Sequence, residues 1–287
     1  MRSLVGEGLG APGSYRTVRR RFLDAALVLS WSILVAVSCA KGAGRPDAET
    51  LSPHPSRKEV IQSILRSNVR VAVVEGERPI RLASGVVLHA EESGGSKSAW
   101  VMTNAHVAAN VREGEARRIE VWIGPEGSEE RHPAEVVALG RAPDLDLAVL
   151  RVEGLWAPAA RLADEDIEVG EDLVAVSAPY GRDLSVSTGI VSQFGRHPRE
   201  GWRLKTDAPI GYGASGGGLF RVSDGKLVAL VEGYRTAKLS FPVGEQSYSF
   251  DVPMPGETFA APAPKIRAFL HEQGLSHLLS DAATASR

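Results

Sequence analysis

The feature that most limits the fold is a long succession of short, β-branched-rich segments, each closed by Gly, Pro, Asp, Asn or Ser. They fall at residues 69–74, 83–89, 99–103, 119–123, 134–138 and 146–152, then at 172–177, 185–194, 202–206, 217–222, 226–232, 246–252 and 259–261. Such segments are too short for helical periodicity and too closely spaced to leave room for crossover helices, so they predict an all-β sandwich or barrel. The stretch from Trp156 to Asp166 splits them into two similar halves. That division suits two barrels with a cleft between them. Helical spacing is confined to the flanks. Val60, Ile61, Ile64 and Leu65 mark a short N-terminal helix over residues 57–67, and Pro264 to Gln273 reads as a closing helix.

The chain has 287 residues, 43% hydrophobic and 24% charged, so a sizeable core can be buried. Lys and Arg total 33 against 35 Asp and Glu. Without a concentrated basic face, no nucleic-acid partner is expected. Nothing in the sequence calls for a cofactor or a metal. Cys39 is the single cysteine, which excludes a disulfide within the chain.

The N-terminus reads as an export address. A basic cluster from Arg16 to Arg21 precedes an apolar run from Leu23 to Val37, shorter than the ~20 residues of a spanning helix. The segment Arg19-Arg20-Arg21-Phe22-Leu23 is similar to a twin-arginine signal, and Ala36-Val37-Ser38-Cys39 to a bacterial lipobox. Residues 1–39 are therefore expected to be a signal peptide ending at a lipidated Cys39. A Pro-, Gly- and Ala-rich flexible linker follows over 40–57, then a folded domain over 58–273 and a tail over 274–287. The plainer alternative is a stray cysteine in an ordinary signal.

Three segments carry chemistry. His106, in Thr103-Asn104-Ala105-His106-Val107, follows the apolar strand Trp100-Val101-Met102. Alone it reads as a polar strand cap. Asp146 opens the apolar run Leu147-Ala148-Val149-Leu150, where a carboxylate is costly unless paired. Asp144, two residues earlier, would share its strand face. Ser215 lies in Gly211-Tyr212-Gly213-Ala214-Ser215-Gly216-Gly217-Gly218. Glycines on both sides permit a sharp turn that exposes a hydroxyl and aims backbone N–H groups at one point. A flexible linker or a phosphate cradle would also be glycine-rich, but no Lys and no helix pattern follow. A base, an orienting anion and a nucleophile are the three parts of serine-based peptide hydrolysis.

Taken together, TNAHV, DLAVL and GASGGG resemble the HtrA/Deg serine proteases of the trypsin-like superfamily. The stretches ASGVVL and VGEDLVAVSAPYGRDLSVSTGIVSQFGR extend the likeness over roughly residues 58 to 272. The resemblance implies a trypsin-like double β-barrel with a short N-terminal and a C-terminal helix, and a serine endopeptidase acting on misfolded or exported proteins. His106 would be general base, Asp146 its anion and Ser215 the nucleophile, with the N–H groups of Gly213 and Ser215 as oxyanion hole. The implied substrate pocket lies along Pro209, Tyr212, Leu230 and Glu232. A small or medium apolar side chain is expected in it, unless the Glu232 carboxylate points inward and favours Lys or Arg.

The implied partners are protein or peptide substrates, and a membrane held through the lipid on Cys39. The protein would be exported to the periplasm or cell surface, and whether it forms a homo-oligomer is left open. The alternative is a catalytically silent trypsin-like module that binds on the cell envelope. Three departures from the family stand out. Ala214 replaces the usual Asn, Gly218 replaces the usual Pro, and no PDZ domain is expected after Pro264. The two loop replacements predict a slack serine loop in which one oxyanion donor turns away at rest.

Overall fold

The computed structural model describes residues 55–279 apart from 110, 112–115, 166, 198–200 and 245. The expected export signal over 1–39, with Cys39, and most of the expected linker lie outside the described residues.

Helix α1 (Arg57–Leu65) starts where its sequence dictates. The Ser56 hydroxyl accepts from the Glu59 N–H at 3.3 Å, and the Glu59 carboxylate accepts from the Ser56 N–H at 2.7 Å. The Ser56 hydroxyl also donates to the Glu59 carboxylate at 2.8 Å, and with the Ser56 N–H it holds that carboxyl below its ordinary value. Val60 and Ile64, one helical turn apart, are the buried face.

Twelve strands follow among the described residues. The first six are β1 (Asn68–Glu75), β2 (Arg78–Ser93), β3 (Ser96–Thr103), β4 (Arg117–Ile123), β5 (Glu130–Leu139) and β6 (Ala148–Glu153). They close antiparallel in the order β1-β2-β3-β6-β5-β4. The second six are β7 (Asp172–Ser177), β8 (Ser185–His197), β9 (Gly201–Thr206), β10 (Gly218–Arg221), β11 (Leu227–Val243) and β12 (Gln246–Pro262). These close in the order β10-β11-β12-β9-β8-β7. Closure removes the open sheet edges that a strand-rich chain must otherwise protect. Two barrels, divided within 154–171, bear out the double β-barrel that the family resemblance implied; the second holds six strands where the sequence pattern offered seven segments.

Each barrel is filled from its own strands. Val71, Val87, Val101, Val121 and Leu150 pack inside the first, all without exposed surface. The core of the second, built on Leu173, Leu204, Phe220 and Leu230, runs on without interruption to Val86, Met102, Leu147 and Val149 of the first barrel. The barrels are therefore joined by apolar packing. Helix α3 (Ala263–Glu272) closes the second barrel with Ile266, Phe269 and Leu270.

The structure differs from the sequence expectation in several strands: β2 and β11 run well beyond the expected 83–89 and 226–232. The expected strands 246–252 and 259–261 are one continuous strand, β12. The strand expected from Asp146 begins at Ala148, so Asp144 and Asp146 belong to the loop before it. Residues 141–145 form a turn closed by Leu145 N–H on the Arg141 carbonyl at 2.9 Å, and no strand face is shared there.

Candidate active site

His106 sits in a single helical turn, α2 (Ala105–Ala108), directly after β3. Buried Ala105, Val107 and Ala108 pin that turn to the first barrel, and the Arg81 guanidinium of β2 donates to the His106 carbonyl. The side chain alone looks outward, 40% exposed.

Asp146 comes from the neighbouring loop, fixed by the wholly buried Leu147 that follows it. Its Oδ1 accepts from the His106 backbone N–H at 2.8 Å, and its Oδ2 lies 2.6 Å from His106 Nδ1. The Asn104 side-chain amide donates to the Asp146 carbonyl at 2.8 Å. A buried carboxylate is tolerated here because both oxygens are occupied. A carboxylate can only accept, so Nδ1 carries a proton and Nε2 is the ring nitrogen left open to another partner.

Ser215 lies between β9 and β10, on a loop clamped by β2. Ser84 N–H donates to the Ser215 carbonyl at 2.8 Å, and the Ser84 hydroxyl donates to the Gly213 carbonyl at 2.8 Å. The same hydroxyl accepts from Ala178 N–H at 2.9 Å. Thr103 Oγ1 donates to the Ser84 carbonyl at 2.9 Å, three residues before His106. Gly216, at φ +82°, fits under this clamp because a Cβ would stand 2.2 Å from the Ser84 carbonyl oxygen and 2.5 Å from Thr103 Oγ1. Gly213, at φ +89°, would strike the Ala178 carbonyl at 2.6 Å. The glycines that signalled this loop in the sequence are therefore needed for contact as well as for conformation.

The Tyr212 carbonyl accepts from Tyr180 N–H at 2.6 Å. In a trans peptide the Gly213 N–H points the opposite way. Neither that N–H nor the one of Ser215 has a partner among the described residues. Tyr180 reaches this position at φ +56°, the one non-glycine left-handed residue described.

The expected slackness of the loop meets a physical counter-argument. Ala214 has no exposed surface and donates to Gly211 at 3.1 Å. A Cβ on Gly218 would lie 2.3 Å from the Phe220 ring. The Phe220 ring fills the space that the usual proline would need, and the loop is held by Ser84 and Tyr180 instead.

The expected pocket residues separate. Pro209 and Tyr212 lie on the exposed side of the loop, Tyr212 with its ring 6.1 Å from Tyr180 and 5.9 Å from Tyr234. Burial, with the neighbouring Tyr212 hydroxyl, pushes the Tyr234 phenol up to about 12. Leu230 has no exposed surface and belongs to the barrel core, so it cannot form a cleft wall. Its partners across the ladder are Gly218 and Ala261.

Glu232 does line a cavity of about 320 Å3, together with His106, Asp146, Ala142, Pro143, Arg203, Gly233, Tyr234 and Phe259. Its carboxylate is neutralised by Lys265 of α3, with Nζ to Oε1 at 2.9 Å and both side chains less than a tenth exposed. The sequence reading missed Lys265, Ser84 and Tyr180. Ser84 stood within the quoted ASGVVL but carried no chemical signal of its own. Among the described residues, no group of three or more His, Cys, Asp and Glu side chains is gathered to hold a metal ion.

Two closed barrels, a His–Asp pair on the first and a clamped glycine–serine loop before β10 of the second define a trypsin-like peptidase domain. The family model described as trypsin-like peptidase domain matches residues 83–230, and the chain belongs to that family. Among curated proteins it is 32% identical over 221 residues to a "Probable periplasmic serine endoprotease DegP-like" of Ectopseudomonas mendocina (strain ymp), covering 76% of this chain and 42% of that protein. It is 30% identical over 203 residues to "Serine protease HTRA1" of Xenopus tropicalis, covering 68% of this chain and 37% of that protein. The chain thus spans less than half the length of these curated relatives. Among solved structures, Deg5 aligns with a TM-score of 0.55 at 24% identity, covering 74% of this chain and 91% of that one. An HtrA-type protease with a tripeptide aligns with a TM-score of 0.57 at 23% identity, covering 78% and 64%. Both likenesses speak to the fold.

Proposed function

We propose that the protein is a serine endopeptidase using Ser215, His106 and Asp146 as its triad. The observation that carries this reading is the His106–Asp146 pair, bonded through both ring and backbone so that Nε2 alone faces out as a base. Ser215 Oγ would attack the scissile carbonyl carbon while His106 Nε2 takes its proton, and Asp146 would stabilise the imidazolium. The oxyanion would be met by the N–H groups of Gly213 and Ser215, which have no competing partner among the described residues. Collapse breaks the C–N bond, the leaving amine takes the proton from His106, and an acyl-Ser215 ester remains. Water, deprotonated by the same base, then attacks the ester carbonyl; the C–Oγ bond breaks, His106 returns the proton to Ser215 Oγ, and the acid leaves.

Because Lys265 neutralises Glu232, the pocket reading favours an uncharged side chain over a basic one. Pro209 and Tyr212 would line its mouth.

The reading extends to location. Relatives named as periplasmic endoproteases, together with the export pattern of residues 1–39, support delivery to the periplasm and attachment through a lipid on Cys39. Protein substrates there would be misfolded or exported chains.

The test is labelling by a fluorophosphonate probe together with casein hydrolysis. Ser215→Ala is expected to lose both while its circular dichroism spectrum is unchanged. Undiminished hydrolysis by that variant would remove Ser215 from the mechanism. Probe-resistant, inactive parent protein would instead support the silent binding module.

A further inference from the structure

Strands β11 and β12 are each 17 residues long, far more than the barrel uses. β11 pairs with β10 only through residues 227–230, and β12 with β9 only through 258–260. Beyond a bulge at Tyr234/Thr236 the two strands pair only with each other, from Thr236↔Pro253 to Val243↔Gln246. The second barrel therefore carries a two-stranded ribbon that projects past its wall.

Directly opposed residues of an antiparallel pair share one face, and successive residues alternate. One face of the ribbon holds Ala237/Val252, Leu239/Phe250 and Phe241/Tyr248; the other holds Lys238/Asp251 and Ser240/Ser249. Such alternation belongs to a ribbon covered on one side. Yet Leu239, Phe241, Tyr248 and Phe250 are 50%, 44%, 49% and 51% exposed. The rings of Tyr248 and Phe250 lie 6.2 and 5.9 Å from Phe241, and together they form a continuous aromatic surface. Two-stranded hairpins are marginal alone, so this face is built to be covered.

The occupant follows from area, charge and position. Half of four such side chains, at roughly 150–250 Å2 each, exposes about 400 Å2. Two copies face to face would bury about 800 Å2 in total, below the ~1,200 Å2 of a stable interface. Lys238, the one cation on the paired ribbon, faces Asp251 across the strands, so nothing there favours an anionic lipid surface. The position is the informative part. The same β11 that bears Leu239 and Phe241 also supplies Glu232, Gly233 and Tyr234 to the cavity beside His106. From Gly233 to Phe241 is eight residues, about 26 Å of extended chain.

We propose that the apolar ribbon face is an exosite for unfolded polypeptide, taking an extended aromatic- and aliphatic-rich segment about eight residues from the bond seated at Ser215. This rests on the endopeptidase reading for its purpose, though the binding itself does not need hydrolysis. The free outer edges of the ribbon add backbone hydrogen-bonding groups for an extended partner. A tetrapeptide is too short to reach the ribbon from the cleft; a chain of about a dozen residues spans both.

The test uses the full chain with Phe241→Thr and Phe250→Thr, substitutions that keep strand propensity and remove the aromatic surface. On a Ser215→Ala background, binding of a fluorescent reduced and carboxymethylated protein is followed by anisotropy. Affinity is expected to fall roughly tenfold in the threonine pair and to be retained with Phe241→Leu and Phe250→Leu. With Ser215 in place, tetrapeptide turnover by the threonine pair should match the parent within about twofold, which shows the cleft intact. Equal affinity of parent and threonine pair overturns the proposal. So does a parent dimer that the threonine pair turns to monomer, or phosphatidylcholine vesicles that bind the parent and not the variant. If no form turns over the tetrapeptide while anisotropy still separates the variants, the endopeptidase reading fails and the exosite stands.

Discussion

At the scale of single residues, the site turns on which acid meets His106. Asp146 is buried and bonded to the ring and the backbone of His106, whereas Asp144 is exposed on the preceding turn. Asp146→Asn should lower kcat by about 10⁴, because an amide in that place stabilises the wrong tautomer. Asp144→Asn should change kcat by less than about twofold; steady-state kinetics on one peptide substrate compares the two directly. A second residue-scale consequence concerns Lys265. Removing its ammonium by Lys265→Met leaves the Glu232 carboxylate buried and uncompensated, a loss of about 3–5 kcal/mol. Lys265→Met combined with Glu232→Leu should recover most of that loss, since an apolar pair of similar volume is close to neutral at a buried site. Urea midpoints for the two single variants and the double variant close the cycle. A double variant no more stable than Lys265→Met would mean that the pair is not what keeps the second barrel together at this point.

At the scale of elements, what the sequence made legible was whatever repeats or clusters along the chain. The strand positions, the two-fold division and the terminal helices follow from local hydrophobic period, and the site motifs from adjacent residues such as Thr103-Asn104-Ala105-His106. Apart from His106 with Asp146, which the family resemblance paired, contacts between distant segments were not legible. Ser84 meets Gly213 and Glu232 meets Lys265 across intervals of 129 and 33 residues that no periodicity reports. The projecting ribbon was hidden for another reason. Residues 246–252 and 259–261 read as separate strands because Pro253, Pro255 and Gly256 usually end one, yet at the edge of an unaccompanied ribbon a missing N–H costs little.

The serine loop shows the limit of substituting by family pattern. Gly218→Pro would press a ring into Phe220 and should destabilise the protein by roughly 1–3 kcal/mol. Ala214→Asn would bury an amide where Ala214 has no exposed surface. The double variant should therefore have a lower melting temperature and no gain in kcat, measured by calorimetry and by turnover on a short peptide. A faster double variant would show that the resting loop is slack despite the Ser84 and Tyr180 contacts.

At the scale of the whole molecule, the proposed triad would need both barrels in register. His106 and Asp146 belong to the first barrel and Ser215 to the second, and Ser84 crosses between them with three hydrogen bonds to the serine loop and its neighbour Ala178. The apolar interior is continuous across the junction through Val86, Met102, Leu147 and Val149. Beside it, Ala163 N–H donates to the Leu227 carbonyl at 2.9 Å and Leu227 N–H donates to the Arg161 carbonyl at 2.7 Å, which ties the connecting segment to β11. Opening one barrel would expose core surface of the other, so the two should unfold as a single cooperative unit rather than in sequence. The tryptophans report on each part: Trp100 and Trp122 lie in the first barrel, Trp202 in the second, and Trp156 in the segment between them. Variants that keep Trp122 alone or Trp202 alone, followed by fluorescence in guanidinium, should give the same midpoint as far-ultraviolet circular dichroism and as the loss of peptide turnover. If the Trp202 transition came at lower denaturant, with activity lost alongside it while Trp122 stayed native, the second barrel would be an independent unit. The junction would then be a docking contact between two domains rather than a shared core.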